Sequence, residues 1–220
     1  MRNNADARPR RRGEALTGAY RKFKIVVRVN ASPLPNQRHH PIHESKMNPS
    51  QIFLPPGWRI VRLGAVCEQP QYGYTAPSMR KDTGTKYLRI TDIQDSRVNW
   101  DFVPYCEIAS DERDKYLLNH SDIVFARTGA TTGKSFLIGD APIAVFASYL
   151  IRVRPLPDVL LSEYLYAFLQ SPDYWTQVEA GKRGGAQPNM NARLLADVVL
   201  PLPPLPEQRR IAARLNEIMA

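Results

Sequence analysis

The chain ends in Pro201-Leu-Pro-Pro-Leu-Pro-Glu-Gln-Arg-Arg-Ile-Ala-Ala-Arg-Leu-Asn-Glu-Ile-Met219, a stretch in which two kinds of structure meet. Four of its first six residues are prolines, which offer no amide proton to a sheet and favour an extended course. Pro206 then suits a first helical position, and Glu207 places a negative charge in the first turn of a helix. We therefore predict an extended strap that leads into a helix at Pro206.

Residues 206–220 form this predicted C-terminal helix, and its apolar residues lie on one side. Ile211, Leu215 and Ile218 recur at spacings of four and three residues, which places them on one helical face. No stop signal follows them before the sequence ends. We expect this bare apolar face to pack on another element, as a partner or dimer helix does.

Upstream, residues 47–205 have the patterning of an α+β domain. Hydrophobic residues make up 43% of the 220 residues, which is enough to bury a core. We expect these elements to form a mixed, twisted β-sheet with loops on one rim. Predicted strands cover residues 86–93, 97–108, 123–126, 136–138, 143–154 and 197–201, and predicted helices cover residues 110–119, 161–175 and 191–196.

Three polar loops interrupt this pattern, at residues 70–85, 127–134 and 181–191. They carry side chains of the kinds that can contact DNA, because tyrosine can stack, arginine can bond guanine, amides can bond adenine and lysine can meet phosphate. The predicted DNA-binding residues are Tyr72, Tyr74, Arg80, Lys81, Arg89, Arg127, Thr128, Thr131, Lys134, Lys182, Arg183, Gln187 and Asn189. An ordinary solvated loop is the alternative for each segment. Asn191 can equally contact DNA or cap the short helix that follows it.

The string Gly129-x-x-x-Gly133-Lys134 resembles a nucleotide phosphate loop but does not meet its requirements. That motif needs four residues between its glycines and a helix after the lysine. Here three residues separate the glycines, and an apolar run predicts a strand next. We interpret the segment as a hairpin-like loop whose glycines allow close backbone approach.

The net charge of +9 is concentrated at the N-terminus. Residues 1–46 hold 11 Lys/Arg and 3 Asp/Glu, a net of +8, while residues 47–220 hold 19 and 18, a net of +1. A DNA-binding surface on the domain must therefore come from segregation of charge. The composition of residues 1–46 predicts a disordered basic extension, with a DNA-binding arm or a histidine metal site as the alternative.

Several functional classes lack their sequence signals. Cys67 and Cys106 suggest neither a disulfide framework nor a metal site, which favours a reducing, cytoplasmic compartment. No apolar run reaches the length of a membrane span, and the N-terminus lacks the apolar region of a secretory signal. A methyltransferase needs an Asn/Asp-Pro-Pro-aromatic tetrapeptide, and a nuclease needs clustered carboxylates with a lysine. We find neither pattern, and therefore predict no catalytic residues, metal ligands or cofactor in this chain.

The proline strap and the segments before it resemble type I restriction-modification specificity subunits, in the order in which that family has them. Together they extend over about residues 52–219, as one target-recognition domain of half length. The matching segments are LPPGWRIVRLG (54–64), KYLRITDIQD (86–95), LNHSDIVFARTGATTGK (118–134), GGAQPNMNARLLADVVLPLPPL (184–205) and PLPPLPEQRRIAARL (201–215).

This resemblance implies a non-catalytic, sequence-specific subunit that recognises one half of a bipartite double-stranded DNA target. Catalysis then belongs to partners, namely modification subunits that bring S-adenosylmethionine and a restriction subunit that brings ATP and Mg²⁺. The helix from residue 206 corresponds to the start of a long conserved helix that pairs as a coiled coil and spaces the half-sites. Full-length members carry two such domains, so a homodimer on a palindromic target and a fragment of a longer subunit both stay open.

Two expectations concern the limits of this interpretation. A degenerate or truncated assembly module without retained DNA specificity is the competing function. Family-like sequence directly follows Met47, and we hypothesise that Met47 is the native start and that residues 1–46 are not native. N-terminal mass spectrometry of the native protein tests this, and a native N-terminus at Met1 would contradict it.

Overall fold

The computed structural model describes residues 54–181 and 189–219, with the backbone alone at residues 218 and 219. Among them, ten strands and five α-helices form the predicted α+β fold. The strands are β1 (Arg59–Arg62), β2 (Gln71–Tyr72), β3 (Lys86–Leu88), β4 (Ile93–Gln94), β5 (Arg97–Val98), β6 (Ile123–Ala126), β7 (Ser135–Leu137), β8 (Ala144–Phe146), β9 (Leu150–Val153) and β10 (Val199–Leu202). The helices are α1 (Ser110–Tyr116), α2 (Ser162–Leu169), α3 (Pro172–Gly181), α4 (Ala192–Asp197) and α5 (Leu205–Met219). The predictions for residues 1–46 and for Lys182, Arg183 and Gln187 lie outside the described residues.

An open, four-stranded antiparallel sheet with the strand order β2-β9-β6-β7 lies at the centre of the fold. Three two-stranded ladders accompany it: β1 with β10 and β4 with β5 are antiparallel, and β3 with β8 is parallel. The predicted mixture of parallel and antiparallel pairing is therefore confirmed, although the strands are shared among four sheets rather than one.

Both faces of the central sheet are buried, which explains why strand β6 is an unbroken apolar run. Ile123 and Phe125 pack into the main core with the helices, while Val124 between them packs into a second core with β8. Because successive side chains of a strand point to opposite faces, a strand covered on both sides is apolar throughout. The prediction of a buried strand over residues 123–126 is confirmed.

Two predicted elements are each divided in the structure. The predicted strand 86–93 ends at Leu88, because the Asp92 carboxylate accepts the backbone N–H of Arg89 at 2.8 Å and closes a 3-10 turn over residues 90–92. The predicted helix 161–175 ends at Leu169, and Pro172 begins the next helix, α3. Proline suits a first helical turn, so its position marks this boundary.

The strand predicted over residues 197–201 is present as β10, which runs from Val199 to Leu202 and places Pro201 opposite Ile60. The side chain of Gln177 bonds both the N–H and the C=O of Val199, and the Tyr164 hydroxyl donates to the Pro201 carbonyl at 2.8 Å. The backbone N–H and C=O groups of alternate residues in a strand point to the same edge. The backbone of Pro201 therefore points, like that of Val199, away from β1, and its missing N–H removes no hydrogen bond between β1 and β10.

The C-terminal helix packs on its own domain, which corrects the prediction of a bare apolar stripe. Leu215 is only 3% exposed and packs with Ala167 of α2. Ile211 packs against this pair. These two turns therefore stabilise the domain rather than present a free face to a partner. The side chain of Ile218 lies outside the described residues, so its predicted role in a partner helix stays a prediction. None of the described helices is long and apolar enough to cross a membrane.

Gln208 connects α5, the strap and α2, a role that no sequence pattern predicted. Its side chain is completely buried, and its amide oxygen accepts the N–H of Leu161 at 2.8 Å. Its amide nitrogen donates to the carbonyls of Val159 and Pro203, both at 2.9 Å. All polar atoms of this buried amide are therefore paired, and one of its bonds caps the N-terminus of α2.

We predict that Gln208→Leu lowers the free energy of unfolding by about 2–4 kcal/mol, because it leaves buried backbone groups without partners at nearly unchanged volume. Urea denaturation of the full chain measures this change. Arg209→Leu is the matched control, since Arg209 is exposed on the same helix and its replacement should change stability by no more than about 0.5 kcal/mol. Equal stability of the two variants would contradict the role of Gln208.

Candidate nucleic-acid interface

Three segments that are distant in sequence meet at the Arg127 side chain. Its guanidinium carbon lies 4.9 Å from the centre of the Tyr72 ring, at the end of β2. Its Nε donates to the side-chain oxygen of Asn189 at 3.3 Å, and Thr128 forms an antiparallel β-bridge with Asn189. We call Tyr72, Arg127, Thr128 and Asn189 the Arg127 cluster. Each of the three predicted contact loops thus contributes at least one residue to it.

Backbone and side-chain hydrogen bonds fix the Arg127 cluster on three sides. The Arg127 N–H donates to the carbonyl of Tyr149 at 3.0 Å, and its carbonyl accepts the N–H of Met190 at 2.8 Å. Met190 is buried in the main core, so it anchors the segment that carries Asn189. The Tyr72 hydroxyl accepts the N–H of Ala192 at 3.1 Å. The cluster therefore sits on the scaffold rather than on free loops.

The loop that follows Arg127 is a tight, glycine-dependent turn. Gly129 and Gly133 have φ values of 80° and 88°, in the region that favours glycine. The Tyr174 hydroxyl of α3 donates to the Gly133 carbonyl at 2.6 Å, which ties the loop to the core. Strand β7 follows the loop, so the prediction that this segment is not a nucleotide phosphate loop is confirmed. Lys134 is exposed at the end of this loop, and Thr131 is half-buried in its 3-10 turn.

Two of the predicted contact residues have other partners in the structure. The Tyr74 ring lies 5.3 Å from the Tyr116 ring and packs against a buried cluster, and this desolvation raises the pKa of its hydroxyl. Arg89 binds the Asp92 carboxylate through two nitrogens, at 3.1 and 2.7 Å, and this bond raises the guanidinium pKa. Neither residue joins the Arg127 cluster, because Tyr74 packs against Tyr116 and Arg89 pairs with Asp92, and their predicted contact with DNA stays a prediction.

Arg80 and Lys81 occupy exposed positions in the first loop. Among the described residues, neither side chain has a hydrogen bond or ion pair that connects it to the Arg127 cluster. Their predicted contact with DNA stays a prediction.

Asn191 caps α4, which decides between its two possible roles. Its side-chain oxygen accepts the N–H of Leu194 at 2.9 Å. This bond satisfies one of the free donors at the start of the helix. Asn189, two residues earlier, is exposed and faces Arg127 instead.

Tyr149 is a candidate contact residue that the sequence predictions did not include. Its side chain is 62% exposed at the turn between β8 and β9, and its carbonyl holds Arg127. The apolar pattern of residues 143–154 predicts a core strand or a strand pair, and the structure has the pair, with Tyr149 in the turn between them. The Ser-Tyr pair at residues 148 and 149, which interrupts that run, was the available signal.

A buried ion network connects to the segment that carries Tyr72 through the side chain of Gln71, and it too was absent from the sequence predictions. Asp122, 3% exposed, binds Arg154 at 2.7 Å and lies 3.5 Å from Arg152, which is 4% exposed. Arg152 also donates to the carbonyls of Lys115 and Leu117 and to the side chain of Gln71. Desolvation lowers the pKa of Arg152 to about 10, against the attraction of Asp122. The network thus links the end of α1 to β2, beside Tyr72.

Residues 54–181 and 189–219 contain no group of three or more His, Cys, Asp or Glu side chains arranged to hold a metal ion. Both described cysteines are free and buried, and burial raises the pKa of Cys67 to about 12 and that of Cys106 to about 11. The groups that meet at the Arg127 cluster are a cation, an aromatic ring and an amide.

The comparisons with known proteins agree on one family. Residues 55–220 match the profile described as the type I restriction modification DNA specificity domain. The MjaVIII specificity subunit of Methanocaldococcus jannaschii is 26% identical over 173 residues, which cover 75% of this chain and 40% of that protein.

Two solved structures have a similar fold. One comes from work on complex assembly and conformational transition of the type I R-M system, with a TM-score of 0.61 and 27% identity over 78% of this chain and 40% of that one. The other is the HsdS subunit from Thermoanaerobacter tengcongensis, with a TM-score of 0.57 and 26% identity over 78% of this chain and 39% of that one. The chain spans about 40% of the length of these relatives.

Proposed function

The chain belongs to the type I restriction-modification DNA specificity family, and we propose that its domain recognises one half of a bipartite DNA target through the surface around the Arg127 cluster. The observation that carries this proposal is the convergence of the three polar loops on Arg127. Loops that read DNA must present their side chains together, and residues 72, 127 and 189 do so although they are up to 117 positions apart.

The chemistry of the cluster supports a role in binding DNA. A cation, an aromatic ring and an amide side chain are the groups that contact phosphates and base edges. The described part of the chain has nearly balanced charge, so a local arrangement is needed to attract a polyanion. Arg127 suits this role because it forms no ion pair with any carboxylate of the described residues.

Catalysis in this proposal belongs to partner subunits. Modification subunits would transfer methyl groups from S-adenosylmethionine, and a restriction subunit would use ATP and Mg²⁺. This chain would direct them to the target. If two copies pair, their two-fold symmetry places two identical half-sites in a palindromic, gapped target.

We expect co-expression of this chain with the modification subunit of the same host to produce adenine methylation at a single gapped motif. Base-resolution mapping of the methylated adenines measures it. The triple variant Tyr72→Ala/Arg127→Ala/Asn189→Ala should lose the methylated motif, because removing these contacts lowers specific affinity by at least about 100-fold. Arg209→Ala, an exposed arginine on α5 far from the cluster in sequence, is the control and should retain the motif.

Co-purification with the modification subunit separates the possible outcomes. A wild-type complex that forms but methylates no motif would support the competing function, an assembly module without DNA specificity. A triple variant that co-purifies and still methylates the same motif would contradict the placement of the recognition surface at the Arg127 cluster.

A further inference from the structure

We propose that Arg127 reads a guanine in the major groove, and that Tyr72 and Asn189 position its side chain for this contact. The inference rests on the proposed function and deepens it by assigning one base to one residue. Three observations lead to it: the bonding of the Arg127 nitrogens, the ring beside them, and the state of the Asn189 amide.

The Arg127 guanidinium has one nitrogen engaged and two nitrogens available. Nε donates to Asn189, while the terminal nitrogens form no hydrogen bond or ion pair with the residues that the structure describes. The two terminal N–H₂ groups are the fork that bonds the O6 and N7 acceptors of guanine together. Arg89 and Arg154 differ in this respect, because in each of them one terminal nitrogen bonds a carboxylate.

The Tyr72 ring restricts the orientation of this fork. The guanidinium lies 4.9 Å from the ring centre, and the ring is itself fixed by the bond from the Ala192 N–H to its hydroxyl. A cation held against a ring loses fewer rotamers on binding, so a pre-positioned arginine suits the demanding geometry of a base edge. A contact with a phosphate needs the positive charge of arginine but does not need the plane of the guanidinium to be fixed.

The Asn189 amide is already oriented by Arg127. An asparagine that reads adenine uses its oxygen and its nitrogen together on the base. In this structure the oxygen of Asn189 accepts from Arg127 Nε, and its backbone is bridged to Thr128. We therefore assign Asn189 as a positioning residue, rather than as the adenine reader that its side chain suggested in the sequence.

The test is a double-mutant cycle between Arg127 and one atom of the DNA. The complex of the full chain with its modification subunit is titrated with duplexes carrying the methylated motif, in which each guanine in turn is replaced by 7-deazaguanine. This base pairs normally but lacks the N7 acceptor. We expect one such replacement to weaken wild-type binding by about tenfold. Arg127→Ala should bind this duplex and the natural duplex equally.

The positioning residues are tested by the same cycle. Asn189→Gln keeps an uncharged amide oxygen as an acceptor for Arg127, so it should retain part of the sensitivity to 7-deazaguanine. Tyr72→Phe keeps the ring but loses the bond from the Ala192 N–H, so it too should retain part of this sensitivity. Tyr72→Leu and Asn189→Leu should lose most of it. A purely structural role would instead weaken all duplexes to the same extent.

Other outcomes overturn the inference in distinguishable ways. If Arg127→Ala weakens every duplex equally and lowers the salt dependence by about one phosphate contact, Arg127 binds the backbone, and the proposed function still stands. A motif without guanine would likewise reject the guanine assignment alone. A wild-type complex without any preferred motif would reject both the inference and the proposed function.

Discussion

Asp122→Ala is expected to lower the free energy of unfolding by about 3–5 kcal/mol. The carboxylate is 3% exposed and accepts two bonds from Arg154, at 2.7 and 3.2 Å, and the backbone N–H of Asn119 at 2.9 Å. Its removal leaves Arg152, which is 4% exposed, without its opposite charge. A buried charge without a partner is far less stable than the same charge in a pair, which explains the size of the effect.

Urea denaturation of the full chain measures the effect of Asp122→Ala, and Asp140→Ala is the matched control. Asp140 is fully exposed and pairs only with the exposed His120 at 3.5 Å, among the described residues. Its replacement should change stability by no more than about 0.5 kcal/mol. A loss below about 1 kcal/mol for Asp122→Ala would mean that the arginines find other partners and that the network is not required.

The same variant also tests the link between the core and the candidate interface. Arg152 bonds the side chain of Gln71, the residue before Tyr72. Release of Arg152 should therefore disturb the start of β2 and, with it, the ring that lies against Arg127. We expect Asp122→Ala to bind the target motif with a weaker preference than the wild-type chain, at temperatures at which the variant is still folded.

Gly73→Val should destabilise the fold by about 3 kcal/mol or more, because the backbone passes too close for any side chain. A Cβ atom at Gly73 would lie 2.2 Å from the carbonyl oxygen of Ala147 and 2.4 Å from that of Phe146. These are backbone atoms of β8 and of the turn after it, so they cannot rotate away. The N–H groups of Gly73 and Tyr74 bond the carbonyls of Leu150 and Phe146, which holds the segments together.

Thermal unfolding of Gly73→Val, compared with Gly139→Val, tests this close approach. A Cβ atom at Gly139 would meet no other atom within 4 Å, and the φ of Gly139 is not positive, so its replacement should be nearly neutral. If both variants unfold at the wild-type temperature, the approach of Gly73 to Phe146 and Ala147 is looser than the structure indicates. Because Gly73 follows Tyr72 directly, its replacement should also lower binding to the target motif.

Local sequence patterns were sufficient for the elements whose stability depends on neighbouring residues. The apolar run 123–126 is a buried strand, and the residues after Lys134 form a strand rather than a helix. The family was also recognisable, because each of its motifs is a contiguous segment of the sequence. Even the pairing of Arg89 with Asp92 had a local signal, since the two residues are three positions apart.

The candidate site depends on contacts that no local pattern contains. The sequence presented Tyr72 and Tyr74 as equal candidates, and only the fold places the first against Arg127 and the second against Tyr116. The amide of Asn189 meets an arginine 62 positions away. The function of a polar side chain depends on which group it contacts, and these contacts form only when segments that are distant in sequence pack together.

The C-terminal stretch shows both kinds of information at once. Its prolines and its apolar spacing determine an extended segment and then a helix, because these depend on backbone geometry and on helical period. The tertiary structure alone decides that β10 pairs with β1, that Leu215 is buried on α2 and that Gln208 caps that helix. The physical reason is that burial and hydrogen bonding are properties of pairs of segments, whereas periodicity is a property of one.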